Sequence, residues 1–322
     1  MSGREGLGAA TARFFRSHAP AFGLQGDAVE VAPVLSRGGF VNISYHVSDG
    51  RTRLHVKLSD TREGRRSLAR WHELDAVLRR YRAPPILGTV RIGEAAGLVF
   101  PWLPGGAPSP DEGVVRSVLA CVRGLWADEE LTTRLATGPA VTAADCYAET
   151  YHDRFMADLA AIRREPPPFV TSAVMAYMMR EAHAMEERIR RAASFQQEVT
   201  GPIHGDLWLD NVLWQAGGSW WILDWDDLRI GDPAMDLAML TGPTAADLRP
   251  LKHALVVDGS VPSEVRERLP HLARASLLDW VIDPLADWIE AKVAPRWRDE
   301  VRVEKQRLHT TALALYRELY AG

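Results

Sequence analysis

The run His204-Gly205-Asp206-Leu207-Trp208-Leu209-Asp210-Asn211 threads acids and an amide among large apolar side chains. A second acidic run, Leu223-Asp224-Trp225-Asp226-Asp227, closes the apolar stretch Trp220-Trp221-Ile222. Asp206 and Asn211 stand five positions apart, and Asp224 lies thirteen beyond Asn211. A carboxylate at a strand end and an amide in a loop are hard oxygen donors. That is the ligand set Mg²⁺ takes when it keeps phosphate and water as its other partners. A further carboxylate outside the metal shell can orient a hydroxyl nucleophile and accept its proton, which is what phosphoryl transfer needs. Asp210, Asp226 and Asp227 are assigned to solvent, although Asp226 would share a side with Asp224 in an extended chain and could then stand behind it.

The chain changes texture near its first third. Residues 8–18 predict a short helix. Strand-like runs follow at 29–35, 42–47 and 53–58, the last alternating Val56 and Leu58 with His55 and Lys57. An amphipathic helix is predicted over 67–81, ending near Pro84-Pro85, and two further short apolar runs follow at 86–92 and 97–103. Beyond Pro104–Pro110, helical patterns dominate at 112–126, 141–164, 172–196 and from about 247 onward. The expected fold class is therefore α+β, with a small N-terminal sheet lobe over 1–103 and a mainly helical lobe over 104–322, joined by a hinge at about 100–105.

His-Gly-Asp-Leu-x-x-x-Asn, then Leu-Asp-Trp, then Gly-Asp-Pro-x-x-Asp-Leu-Ala, resembles the signature of the aminoglycoside phosphotransferase and choline kinase family, small-molecule relatives of the protein kinases. The resemblance implies a two-lobed protein-kinase-like fold. It also implies that Asp206 is the catalytic base, that Asn211 and Asp224 hold Mg²⁺, and that His204 and Asp236 brace the catalytic loop. Asp236 is expected to cap backbone amides. Trp208 stands where many protein kinases carry a substrate-positioning lysine, and it suits either a pocket wall or packing beneath the loop.

The N-terminal half supplies the other parts such an enzyme needs. A strand lysine, Lys57, would bind the phosphates of ATP or GTP, and a helix glutamate, Glu73, sixteen residues later, would orient it. Glu63 is the competing acid, but it falls in the run Thr61–Arg66, read as a loop, while His72 and Asp75 face elsewhere. Ser36-Arg37-Gly38-Gly39 resembles a phosphate-covering loop, where the glycines let backbone amides approach oxygens closely, and Asn42 closes it. In the hinge register Phe100 is the gatekeeper, with the Pro101 carbonyl and the Leu103 amide facing the base; proline is acceptable where only a carbonyl is required.

Gly231 comes only seven positions after Asp224. That leaves no room for the activation segment and peptide platform of a protein kinase, so a small-molecule hydroxyl acceptor is expected. Asp279, Asp283 and Asp287 follow i, i+4, i+8 spacing beside Trp280 and Trp288. This suggests an acidic, aromatic acceptor wall for a cationic compound such as an aminoglycoside, choline or ethanolamine, provided Pro284 does not end the helix. A sugar, thio-sugar or homoserine-type alcohol is the alternative acceptor, and an inactive nucleotide-binding scaffold the alternative role. With 38 basic and 42 acidic residues the chain lacks the basic excess of a nucleic-acid binder. Two cysteines make no disulfide framework, and no apolar run reaches membrane-spanning length. A cytoplasmic protein without nucleic-acid or membrane partners is expected, as monomer or homodimer.

Overall fold

The computed structural model describes residues 3–34, 43–109, 111–215, 217–242, 261–291 and 298–320. Gly38, Gly39 and Asn42 lie outside them. The described chain divides into two compact units, residues 1–107 with 210–227, and residues 108–209 with 228–322. No helix among the described residues is long and apolar enough to cross a membrane.

The first unit is built on a five-stranded antiparallel sheet: β1 Glu30–Val34, β2 Ile43–Ser48, β3 Arg53–Ser59, β4 Gly88–Ile92 and β5 Ala95–Pro101, in the order β1-β2-β3-β5-β4. Alternation along β3 explains its two faces. Leu54, Val56 and Leu58 join Tyr45, Val47 and Val99 in a core closed by Phe15 and Ala19 and flanked by Phe14 of helix α1, Gly3–Ser17. His55 and Lys57 point the other way, in register with Phe100 and Leu98 of β5. At Gly97 the strands come so close that a Cβ would stand 1.9 Å from the Lys57 carbonyl oxygen, so no larger residue fits beside the lysine.

Helix α2, Arg62–Leu78, begins five residues earlier than its apolar pattern predicts, because Thr61 caps it by accepting from the Gly64 amide at 3.1 Å. Glu63 therefore sits in the first helical turn and not in a loop. The buried stripe of α2 is Gly64, Leu68, Trp71, Leu74, Val77 and Leu78. The hairpin of Val212–Trp214 with Trp220–Ile222 also belongs to this unit. By its contacts the hairpin groups with residues 1–107 and not with the helical stretch that precedes it. Gly106 and Trp214 exchange backbone hydrogen bonds of 3.2 and 2.9 Å, and the Ile222 amide donates to Arg82 O at 2.9 Å, which ties the hairpin to the sheet side of the chain.

The second unit is helical. Helices Glu112–Trp126, Asp153–Arg164 and Ser172–Arg191 lie near their predicted places, and Ala148–His152 is a π-helical turn within the stretch read as one helix. The helix Ser263–Glu290 runs on through Pro270 and Pro284, so Pro284 does not end it. Burial of Val265, Leu269, Leu272, Leu278, Val281, Ile282 and Leu285 around its circumference outweighs the hydrogen bonds that the prolines omit. It packs against the final helix, Arg298–Tyr320, and against Pro233–Leu240.

One buried pair locks this unit. Asp232 caps the helix Pro233–Leu240 by accepting from Ala234 N at 3.0 Å, and takes both prongs of Arg268, at 2.7 and 3.0 Å. Both side chains are almost wholly buried. Removing one partner strands the other charge, which costs about 3–5 kcal/mol in such sites. Arg268→Met should lower unfolding stability by that order in urea titration. A loss smaller than about 1 kcal/mol would show the pair to be dispensable.

Candidate active site

In the second unit, the strand Pro202–Ile203 pairs with Arg229–Ile230 and delivers the chain into His204-Gly205-Asp206. Gly205 has φ +86°, a left-handed conformation that glycine adopts without strain, and the chain turns there. Asp236, fully buried in the helix Pro233–Leu240, accepts from the amides of His204 at 3.0 Å and Gly205 at 2.9 Å, and from the Trp126 indole at 3.0 Å. Three donors satisfy a carboxylate that would otherwise be costly to bury. The Asp206 amide donates to His204 Nδ1 at 3.3 Å, which fixes that ring nitrogen as an acceptor. Asp206 itself stays partly accessible. Trp208 meets Trp280 edge-on, with ring centroids 5.5 Å apart, so the loop leans on the long helix Ser263–Glu290.

In the first unit, Lys57 projects from β3 onto the acidic turn after Ile222. Its Nζ lies 2.5 Å from Asp224 Oδ1 and 2.7 Å from Asp226 Oδ2, bringing together residues more than 160 positions apart in the chain. Burial alone would lower the lysine's proton affinity, but the two carboxylates more than reverse it and hold the ammonium charged. Asp226 is not solvated as expected. Its side chain is only 13% exposed, against 43% for Asp224. Burial pushes its carboxyl up to about 6 against the pull of Lys57. Asp224 has φ +61°, a left-handed position that aspartate tolerates better than most residues. Leu223 N donates to Asn211 O at 2.7 Å, fastening the metal-site candidate Asn211 beside the strand that carries Asp224. A half-exposed carboxylate and an amide oxygen in one unit fit a cation that draws its remaining ligands from phosphate and water.

Glu73 does not pair with Lys57. It is exposed, two residues past Trp71 and so about 200° around the helix from that ring. Facing the lysine from α2 is Trp71, whose ring centroid lies 5.6 Å from Nζ. The neighbouring Arg70 donates to Asp226 O at 3.1 Å. The signal that finds Trp71 is the i, i+3, i+4 apolar stripe itself, which passes through it and skips Glu73.

Along the same sheet face, Phe100 is buried against Trp71, centroids 5.0 Å apart, and beside His55, at 5.9 Å. Trp102 continues the ladder by donating to Arg53 O at 2.9 Å, and its ring meets His46 edge-on at 4.4 Å. Pro101 ends β5 and Leu103 follows half-buried. Burial, with Lys57 next along the strand, lowers His55 to about 4, so it is neutral at physiological pH.

The predicted acidic wall on the long helix is not an open one. Asp279 and Asp287 are buried, Asp279 paired with Arg154 and Asp287 with Lys305 of the final helix. Only Asp283 is well exposed, 3.9 Å from Arg154. Trp280 packs on Trp208, and Trp288 carries the Arg302 guanidinium 3.8 Å over its ring. Sequence spacing correctly aligns the acids, but the cations that neutralise two of them come from other helices.

The sequence profile of the phosphotransferase enzyme family matches residues 35–268. The chain belongs to that family. No curated protein sequence matches it. Solved structures of similar fold include a Cryptosporidium parvum choline kinase (12% identity, TM-score 0.61, 96% of this chain and 95% of that one). A Plasmodium vivax ethanolamine kinase is similar as well (15%, 0.62, 96% and 88%). So is the GDP complex of an aminoglycoside 2'-phosphotransferase (13%, 0.62, 95% and 98%). The fold of this phosphotransferase family member is accordingly protein-kinase-like, with a small antiparallel sheet region followed by a helical one.

The buried acids of the helical unit make its stability pH-dependent. Burial and neighbouring carboxylates raise Asp279 to about 7, and Asp158 and Asp287 to about 6. Carboxyls that bind protons more tightly when folded contribute stability at acid pH, which is lost as pH rises through their folded values. Asp279→Asn removes one such group. The wild type should lose melting temperature relative to this variant as pH rises from about 5 to about 8. A pH-independent difference in Tm would show that Asp279 is ionised throughout.

Proposed function

We propose that this protein is a Mg²⁺-dependent small-molecule kinase that moves the γ-phosphate of ATP or GTP to a hydroxyl group. The observation that carries the reading is the ion pair of Lys57 with Asp224, 2.5 Å, which unites a buried strand cation with the carboxylate of the Leu-Asp-Trp run. In this reading Lys57 holds phosphate oxygens of the donor. Asn211 and Asp224 are the metal ligands. Phe100, Pro101 and Leu103 flank the base, and Gly38 and Gly39 cover the phosphates. Bound by those ligands, Mg²⁺ supplies positive charge that offsets the charge developing on the transferred group.

Asp206 orients the acceptor hydroxyl and takes its proton as the new P–O bond forms. His204 and Asp236 act through it. They hold the loop backbone, so that the carboxylate needs no reorganisation when substrate arrives. The solved kinases of similar fold support a small hydroxyl compound as acceptor, the class that includes aminoglycosides, choline and ethanolamine. Pairing of Asp279 with Arg154 and of Asp287 with Lys305 removes the main sequence argument for a cation-binding wall. Neutral sugars, thio-sugars and homoserine-type alcohols therefore belong in the test on equal terms.

The test is a panel of such hydroxyl compounds with Mg²⁺-ATP and Mg²⁺-GTP, read as acceptor-dependent release of ADP or GDP. Asp206→Asn should keep nucleotide affinity and lower turnover roughly 10²- to 10⁴-fold, the usual contribution of a general base. Near-wild-type turnover in that variant would sink the assignment. Asp224→Ala should raise the Mg²⁺ concentration needed for nucleotide binding more than Asp226→Ala does. Equal shifts would make both carboxylates metal ligands.

A further inference from the structure

Protein-kinase-like enzymes need a resident acid to hold the phosphate-binding lysine, and the acid predicted here, Glu73, is exposed on α2. Lys57 has two acids at hand, and they differ in setting. Asp224 is 43% exposed, whereas Asp226 is 13% exposed and lies under α2. Arg70 holds the Asp226 carbonyl at 3.1 Å, and the Trp71 ring stands over the lysine ammonium at 5.6 Å. If Asp224 turns its charge to a metal, the buried ammonium still requires a counter-charge. A buried ion left without its partner is strongly destabilising.

Resting on the proposed role of Lys57, we infer that Asp226 is the positioning residue for this lysine in place of a helix glutamate, with Trp71 as its aromatic backstop. The two acids divide the work. Asp224 serves the metal, and Asp226 keeps the ammonium aimed at the phosphates. Helix α2 contributes a ring face and a guanidinium, both of which act without a carboxylate on that helix.

A double-mutant cycle on nucleotide binding tests this, with Mg²⁺-ADP and Mg²⁺-GDP each titrated calorimetrically at saturating Mg²⁺. Asp226→Asn should weaken binding on the order of tenfold, the usual cost of losing a partner that orients a ligating group. In a Lys57→Met background the same change should have little effect, since its target is gone. Glu73→Gln should bind as the wild type does. Equal loss in both backgrounds would overturn the inference, as would a loss in Glu73→Gln matching that of Asp226→Asn. So would an Asp226→Asn protein whose only defect is a raised Mg²⁺ requirement. Should Asp226→Asn alone fail to fold, the double variant should recover stability, because removing both buried charges is milder than removing one. A double variant less stable than Asp226→Asn would likewise overturn it. A wild-type protein that binds neither nucleotide, with or without Mg²⁺, would instead defeat the proposed function as a whole.

Discussion

A lysine ammonium buried against a sheet must have negative charge beside it, and that requirement organises the first unit. The desolvation of Lys57 is met by Asp224 and Asp226, and they can meet it only if the turn after Ile222 is held against β3 and α2. The hairpin Val212–Ile222 is accordingly fastened to the sheet unit at Gly106 and at Arg82, although more than a hundred residues of helical chain precede it. Tight packing at Gly97 then fixes the height of the lysine on its strand. The geometry proposed to grip phosphate is the same geometry that neutralises a buried charge.

The helical unit solves the inverse problem, the burial of carboxylates. Asp236 is satisfied by two loop amides and an indole, Asp232 by a guanidinium and a helix terminus, and Asp279 and Asp287 by single cations from other helices. The satisfied acids differ in their consequences. Asp236, served by three donors, is a rigid clamp for His204 and Gly205. Asp279 has one cation and further acids nearby, so it holds a proton up to near neutral pH. Hydrogen-bond donors stabilise an anion without adding another charge to be desolvated, and this suits them to a loop that must not move.

How much of this was legible depended on whether the information is local. The strands at 29–35, 42–47 and 53–58 and the helices at 112–126 and 172–196 are periodic, and their places follow from alternation and amphipathicity. Thr61 shows the limit of that approach, since a cap five residues ahead of the apolar stripe begins the helix before periodicity can reveal it. Pro284 shows another, because a helix buried on most sides tolerates a residue that would end an exposed one.

By itself the sequence determined the order and spacing of Asp206, Asn211, Asp224 and Asp236, and with them the family, because their chemistry depends on short separations along the chain. Only the tertiary structure decided which charges meet. Lys57 pairs with Asp226 and not Glu73, and Asp279 and Asp287 face Arg154 and Lys305 and not open solvent. The reason is physical. Spacing places a side chain on a face of its own helix or strand, but the cost of burying a charge is settled by whatever other element packs against that face.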